Sequence, residues 1–220
     1  MGFPNVDIFL YRTILTKLKS YQDMENYRLE QTFDDLDETD LAEIRTFLAA
    51  LHLTDNTRDK TDNSLYVMPT YPLVDLLAPQ ICVTVGSEDT AGRVLGDETG
   101  EDAAAVVDGD GKTIAWDLDR GYWGSGMWMI QITAETKLAV IWLSRLCQQA
   151  LVDSFQAMDG LGIKEVSIAV ADLRPDPQYY PQNFFARGIK VNAGKVANTW
   201  KTRVQASYYE TGVNLAIETP

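Results

Sequence analysis

Apolar positions at the start of the chain are spaced for a helix. Residues 5–21, NVDIFLYRTILTKLKSY, set Ile8, Tyr11, Leu15 and Leu18 three or four apart, which brings them onto one stripe. Asn5 stands where an N-cap is needed, and Asp7 meets the positive end of the helix dipole. A polar segment follows. DETDLAEIRTFLAALHL then predicts a second helix that buries Leu41, Ile44, Leu48 and Leu51. TDNTRDKTDNS reads as a solvated loop. Prolines 69, 72 and 79 keep MPTYPLVDLLAP extended or turning, because each removes a backbone donor and fixes φ.

The period then changes from 3.6 to 2. QICVTVGSE alternates Ile81, Val83 and Val85 and predicts a strand. Residues 86–111 hold Gly86, Gly92, Gly96, Gly100, Gly109 and Gly111 among many acids. That composition predicts a long acidic Gly-rich loop or arm, a poor core former that stays mobile unless a partner orders it. KTIAWDLDRGYW and MWMIQITAE read as two strands joined through GSG. Met127, Met129, Gln131 and Thr133 fall on one face of the second, and Trp128, Ile130 and Ile132 on the other.

The strongest helical pattern covers residues 136–159 and stops on Gly160. Its apolar arc is wide: Leu138, Ile141, Trp142, Leu146, Cys147, Ala150, Leu151, Phe155 and Met158. KEVSIAVADL is a strand, with Val166, Ile168 and Val170 in register. RPDPQYYPQ is a turn, and NFFARGIKV, NTWKTRVQASYY and VNLAIET close the chain as strands. The order predicts an α+β fold: a mixed or antiparallel sheet with one long helix and the N-terminal helices packed on it, plus the acidic arm. It reads as one domain, with a helical part at 1–64 and the sheet and long helix at 65–220.

Composition supports one domain: 220 residues, 45% of them hydrophobic, suffice for a sizeable core. The net charge of -13 repels nucleic-acid phosphate, which argues against a DNA-groove reader. No apolar run approaches the roughly 20 residues of a membrane span. The N-terminus lacks the basic region and cleavage site of a signal peptide, and Val6 stands where a myristoylation signal has Ser or Thr. Cys82 and Cys147 lie far apart in apolar settings, as reduced core thiols of an intracellular protein do.

Candidate chemistry is sparse. His52 is the one histidine, and near a helix end it serves the last carbonyls. Ser-His-Asp or Cys-His catalysis would have to use it. WGSGM has Trp123 and Met127 where a nucleophile elbow has glycines. No Cys-x-x-Cys or His-x-x-x-His offers a zinc site. DGDGKT, residues 108–113, suggests a calcium or phosphate loop. Val106 stands where the phosphate loop needs its first glycine, and Thr113 where the calcium loop needs its turning glycine. What remains is a turn. Catalytic residues, metal ligands and cofactors are therefore expected to be none.

Charge is unevenly placed. Glu88 to Asp119 carries ten acids against two bases, whereas Phe184 to Tyr209 carries five bases and no acid. Opposite charges on separate surfaces suit a head-to-tail contact between identical subunits; the alternative is a face of solvated lysines. On charge and aromatic placement, the expected interface residues are Arg93, Asp97, Glu98, Glu101, Asp102, Trp123, Arg187, Lys190, Lys195, Lys201 and Arg203. A second class is a carbohydrate-binding module stacking sugars on Trp116, Tyr122, Trp123, Trp128, Tyr179, Tyr180, Tyr208 and Tyr209. A third is a hydrolase using Asp117 with Asp119, which strand alternation puts on one face.

The order of elements resembles the neck and tail-terminator proteins of long-tailed bacteriophages. The likeness spans roughly residues 65–209. It rests on a Pro-flanked strand (PQICVTVGSE), a Gly- and acid-rich excursion (VLGDETGE), and a strand (MWMIQITAE) entering a long helix that ends DGLGI. A Tyr-Pro turn, YYPQNFFARGIKV, and closing strands with Trp200 complete it. Residues 23–63 are extra to a minimal member. The resemblance implies a non-enzymatic virion protein, without cofactor, assembled in the host cytoplasm. It implies a ring, commonly a hexamer, between a connector or stopper and the tail-tube or sheath proteins. Such a ring encircles the DNA path and ends tube polymerisation, and segment 86–111 would then be an arm to a neighbour or to an adjoining ring.

Overall fold

The computed structural model describes residues 5–22, 26–55, 63–72, 79–95, 103–111, 113–174 and 184–205, with 26–28, 90–95, 103–104, 116–122 and 198–205 traced through their backbone. Helix α1 spans Val6–Gln22, α2 Asn26–Thr32 and α3 Glu38–Ala50. Strands β1 (His52–Thr54), β2 (Ser64–Met68), β3 (Gln80–Leu95), β4 (Ala103–Val107) and β5 (Thr113–Ala134) follow. Helices α4 (Lys137–Val152) and α5 (Phe155–Gly160) lead into β6 (Ile163–Leu173) and β7 (Phe185–Gln205). The result is a mixed α+β fold.

One seven-stranded sheet has the order β1-β2-β3-β5-β7-β6, with β4 paired to β5 off that path. β1, β2 and β3 run parallel, and every other pairing is antiparallel. α1 and α4 lie together and both meet the sheet. One core joins them: Leu10, Ile14 and Leu18 of α1, Leu143, Leu146 and Cys147 of α4, and Ile81, Ile130, Ile132 and Ile189 of the sheet. Each fully buried side chain of this kind contributes about 1.5–3 kcal/mol. Tyr66, Met68 and Cys82 form a separate small cluster.

Several elements depart from the sequence pattern. The buried stripe of α1 is Val6, Leu10, Ile14, Leu18 and Tyr21, while Ile8, Tyr11 and Leu15 are half-buried. The run of apolar residues permits either stripe, and contact with α4 and the sheet selects this one. In the segment read as polar, α2 forms, and Leu29 within it and Phe33 just after it are buried. α3 forms where its pattern predicts: Asp37 caps it by accepting from the Thr39 and Asp40 amides, and Ile44 and Leu48 are buried, while Leu41 and Leu51 are half-buried. His52 directly follows Leu51, the extended C-cap of α3 (φ -77, ψ 130), and opens β1, its amide donating to the Asn63 carbonyl at 2.9 Å.

The sheet is more continuous than alternation alone implied. β2, buried at every position, sits where no strand was expected, as a fully covered parallel strand does. Residues 86–95 are strand rather than loop and belong to β3, and 103–107 form β4; both are held by the ladder of β5. The centre of that segment, 96–102, lies outside the described residues. The two strands expected around GSG are one strand, β5, since a bulge between Gly124 and Gly126 absorbs the irregularity. β7 likewise unites two expected strands. RPDPQYYPQ falls mostly, and VNLAIET wholly, outside the described residues, as does most of TDNTRDKTDNS.

The long helix is two helices. Ser154 Oγ donates to the Ala150 carbonyl at 2.7 Å and its amide to Leu151 O at 3.0 Å, which tightens and turns the chain before α5. Leu138 and Phe155, expected on the buried arc, are 56% and 37% exposed. The left-handed stop is Gly162 (φ +78) rather than Gly160.

Candidate assembly surface

β5 runs 22 residues and β7 21, well past the ends of their shorter neighbours. β6 leaves β7 at the Ile163–Val196 pair, so residues 197–205 of β7 continue with β5 alone beside them. On the other side β3 accompanies β5 as far as the Leu95–Gly121 pair, and β4 takes over at Ala103–Leu118. These strands form an arm. From Trp123 to its tip at Thr113 the arm is about 33 Å long, at roughly 3.3 Å per residue.

Irregularities gather at the arm's base. β3 shifts register between Val85 and Ser87, β5 and β7 between Gly124 and Gly126, and Glu165 of β6 takes φ 56. A left-handed glutamate in a strand is strained, and Lys195 Nζ holds it by donating to its Oε1. Trp128 folds back over Gly126, where an added Cβ would lie 2.2 Å from Trp128 Cη2.

The tip is a turn, as expected for DGDGKT. The Gly111 amide donates to Asp108 O at 3.0 Å, the Asp110 amide donates to Asp108 Oδ1 at 3.0 Å, and Gly111 takes φ +79. Val107 and Ile114 flank it and are 55% and 49% exposed.

A groove of about 620 Å³ lies on the helical side, between α1 and the α4–α5 junction. Ile8 and Phe9 line it from α1, Leu161 faces them, and Arg12 and Lys17 bring cations. Lys17 Nζ stands 3.5 Å from Asp153. Leu161, which lines the groove, is 47% exposed. The groove is near the arm's base, because the Gly162 carbonyl accepts from the Ala197 amide at 2.9 Å and Ala197 pairs with Trp123. No sequence pattern pointed to it, since its walls are some 150 residues apart.

The expected interface residues scatter. Trp123 pairs with Arg93 at the arm's base, and its side chain is half-buried. Arg187 is an ion pair rather than a free cation: its Nε donates to Asp172 Oδ1 at 2.7 Å. That guanidinium holds the Asp172 carboxyl below the usual carboxylate range. Lys195 is engaged with Glu165, and Lys190 sits mid-ladder between Met129 and Ala169, half-buried. The register sets Lys201 opposite Asp119 and Arg203 opposite Asp117. The ladder thus pairs, in backbone register, acidic and basic positions that sequence order kept apart. Asp97, Glu98, Glu101 and Asp102 lie outside the described residues.

Other chemistry is limited to what these residues carry. Burial pushes the Cys82 thiol up to about 12 and raises that of Cys147 as well. Among the described residues no three of His, Cys, Asp and Glu gather as a metal site, and no helix is long and apolar enough to cross a membrane. Trp128 is 1% exposed, which removes it from the sugar-stacking set. No protein-family model and no curated protein matches this chain, so its function is read from its own residues.

Proposed function

We propose that this protein is a structural subunit of a phage neck, a tail terminator or neighbouring head–tail joining ring. In that role copies join around the DNA channel, end tail-tube polymerisation and link the tail to the head connector. The observation that carries the reading is the arm, four strands built into one sheet yet reaching about 33 Å beyond the point where β6 ends. A strand ladder this long that leaves the core is suited to contact with another molecule rather than to the subunit's own packing. The element order of the long-tailed phage neck proteins supports it too. A net charge of -13 fits a channel through which DNA slides without binding.

The test is native mass spectrometry over a concentration series, followed by electron microscopy of the protein mixed with tail tubes. A defined oligomer of about six copies, or a ring capping tube ends, is the expected result. A protein that stays monomeric alone and leaves tube length unchanged when mixed would refute it.

A further inference from the structure

We propose that the arm tip of one copy seats in the α1–α5 groove of a second copy, in a head-to-tail contact. The inference rests on the assembly role above, since it names the contact by which copies join. The tip presents exposed Val107 and Ile114 around a turn carrying Asp108 and Asp110. The groove presents Ile8, Phe9 and Leu161 beside Arg12 and Lys17. Apolar side chains meet apolar side chains, and the Asp110 carboxylate meets the Arg12 guanidinium, Lys17 being already paired with Asp153.

Reach decides that the contact is between copies. The groove sits at the arm's base, at Gly162 and Ala197, whereas the tip lies about 33 Å away along a continuous ladder. A chain cannot place its own tip in its own groove without breaking that ladder. The two surfaces differ, so the contact is heterologous: each copy gives a tip and receives one, and the chain of contacts closes into a ring when the rotation between copies permits.

Two variants separate the halves of the contact. Ile8→Asp spoils the groove and leaves the fold intact, because Ile8 is half-buried and an acid is favourable in the first turn of α1. Val107→Asp spoils the tip at a position 55% exposed. Unchanged melting curves confirm that both fold. Each variant alone is expected to associate about tenfold or more weakly than wild type in native mass spectrometry. Mixed one to one, they retain a single good contact, the tip of the groove variant in the groove of the tip variant, and should form dimers and nothing larger. Arg12→Ala should weaken association in the same assay.

If the wild type assembles and both variants assemble equally well, this contact is wrong and the ring reading stands on another surface. Larger species from the mixture, or no dimer at all, also overturn it. A wild type that is monomeric at every concentration overturns it as well, since each copy holds both halves; the ring reading then answers to the tail-tube experiment.

Discussion

Gly126→Ala tests the geometry of the arm's base. A Cβ built on Gly126 lies 2.2 Å from Trp128 Cη2, 2.7 Å from Cζ2 and 2.9 Å from Cζ3. Carbon atoms in contact need more than 3 Å, so the ring or the strand must move. The ring has little room, because Trp128 is 1% exposed and sits between Val85 and Val191 in the ladder. Overpacking of this kind costs about 1–3 kcal/mol. In a domain of this size each kcal/mol lowers Tm by roughly 2–4 °C, so the expected loss is roughly 2–12 °C. Circular dichroism reads the melt, and tryptophan emission should shift to the red as the indole is pushed toward water. Gly109→Ala is the control: nothing lies within 4 Å of its Cβ position and its φ is not left-handed. A Gly126→Ala protein that melts within about 1 °C of wild type with unchanged emission would show that Trp128 does not pack over Gly126.

Leu10→Ala, at a fully buried position of α1, should cost about 2–5 kcal/mol in urea unfolding, whereas Leu138→Ala, 56% exposed, should change little. Cys82 and Cys147 should resist a thiol reagent at pH 8 in the native state, and both should react after unfolding, because burial keeps the thiols protonated. Asp172 has its folded pKa depressed by Arg187, so its contribution is present above the ordinary aspartate range and is lost as pH falls through the lower folded value. The small Tm advantage of wild type over Asp172→Asn should therefore shrink on acidification below about pH 4 and vanish in stronger acid.

Much of the fold was legible in the pattern. Asp37 capping α3, the alternation that buries Trp128, Ile130 and Ile132, and the turn at Asp108–Gly111 are each set by residues within a few positions of one another. The exceptions share a cause. Whether GSG ends a strand or bulges it depends on β7 running continuously alongside. Whether α1 buries Leu10 or Tyr11 depends on what α4 and the sheet present to it. β2 was hidden because a strand covered on both faces has no alternation to show.

Of the assembly surface, the sequence suggested a loop at 86–111 where β3 and β4 add strands to the sheet, and it missed the groove. Arg187 and Lys195 read as surface cations, but the ladder brings Asp172 and Glu165 against them. Sequence by itself determined the element types, the acidic balance and the turn chemistry, because periodicity, charge and backbone preference are properties of a few neighbouring residues. Tertiary structure alone decided which strands merge, which cations remain free, and that Ile8, Phe9 and Leu161 share one groove. Those outcomes depend on pairing between residues far apart in the chain, which is fixed only by the packing of the whole core.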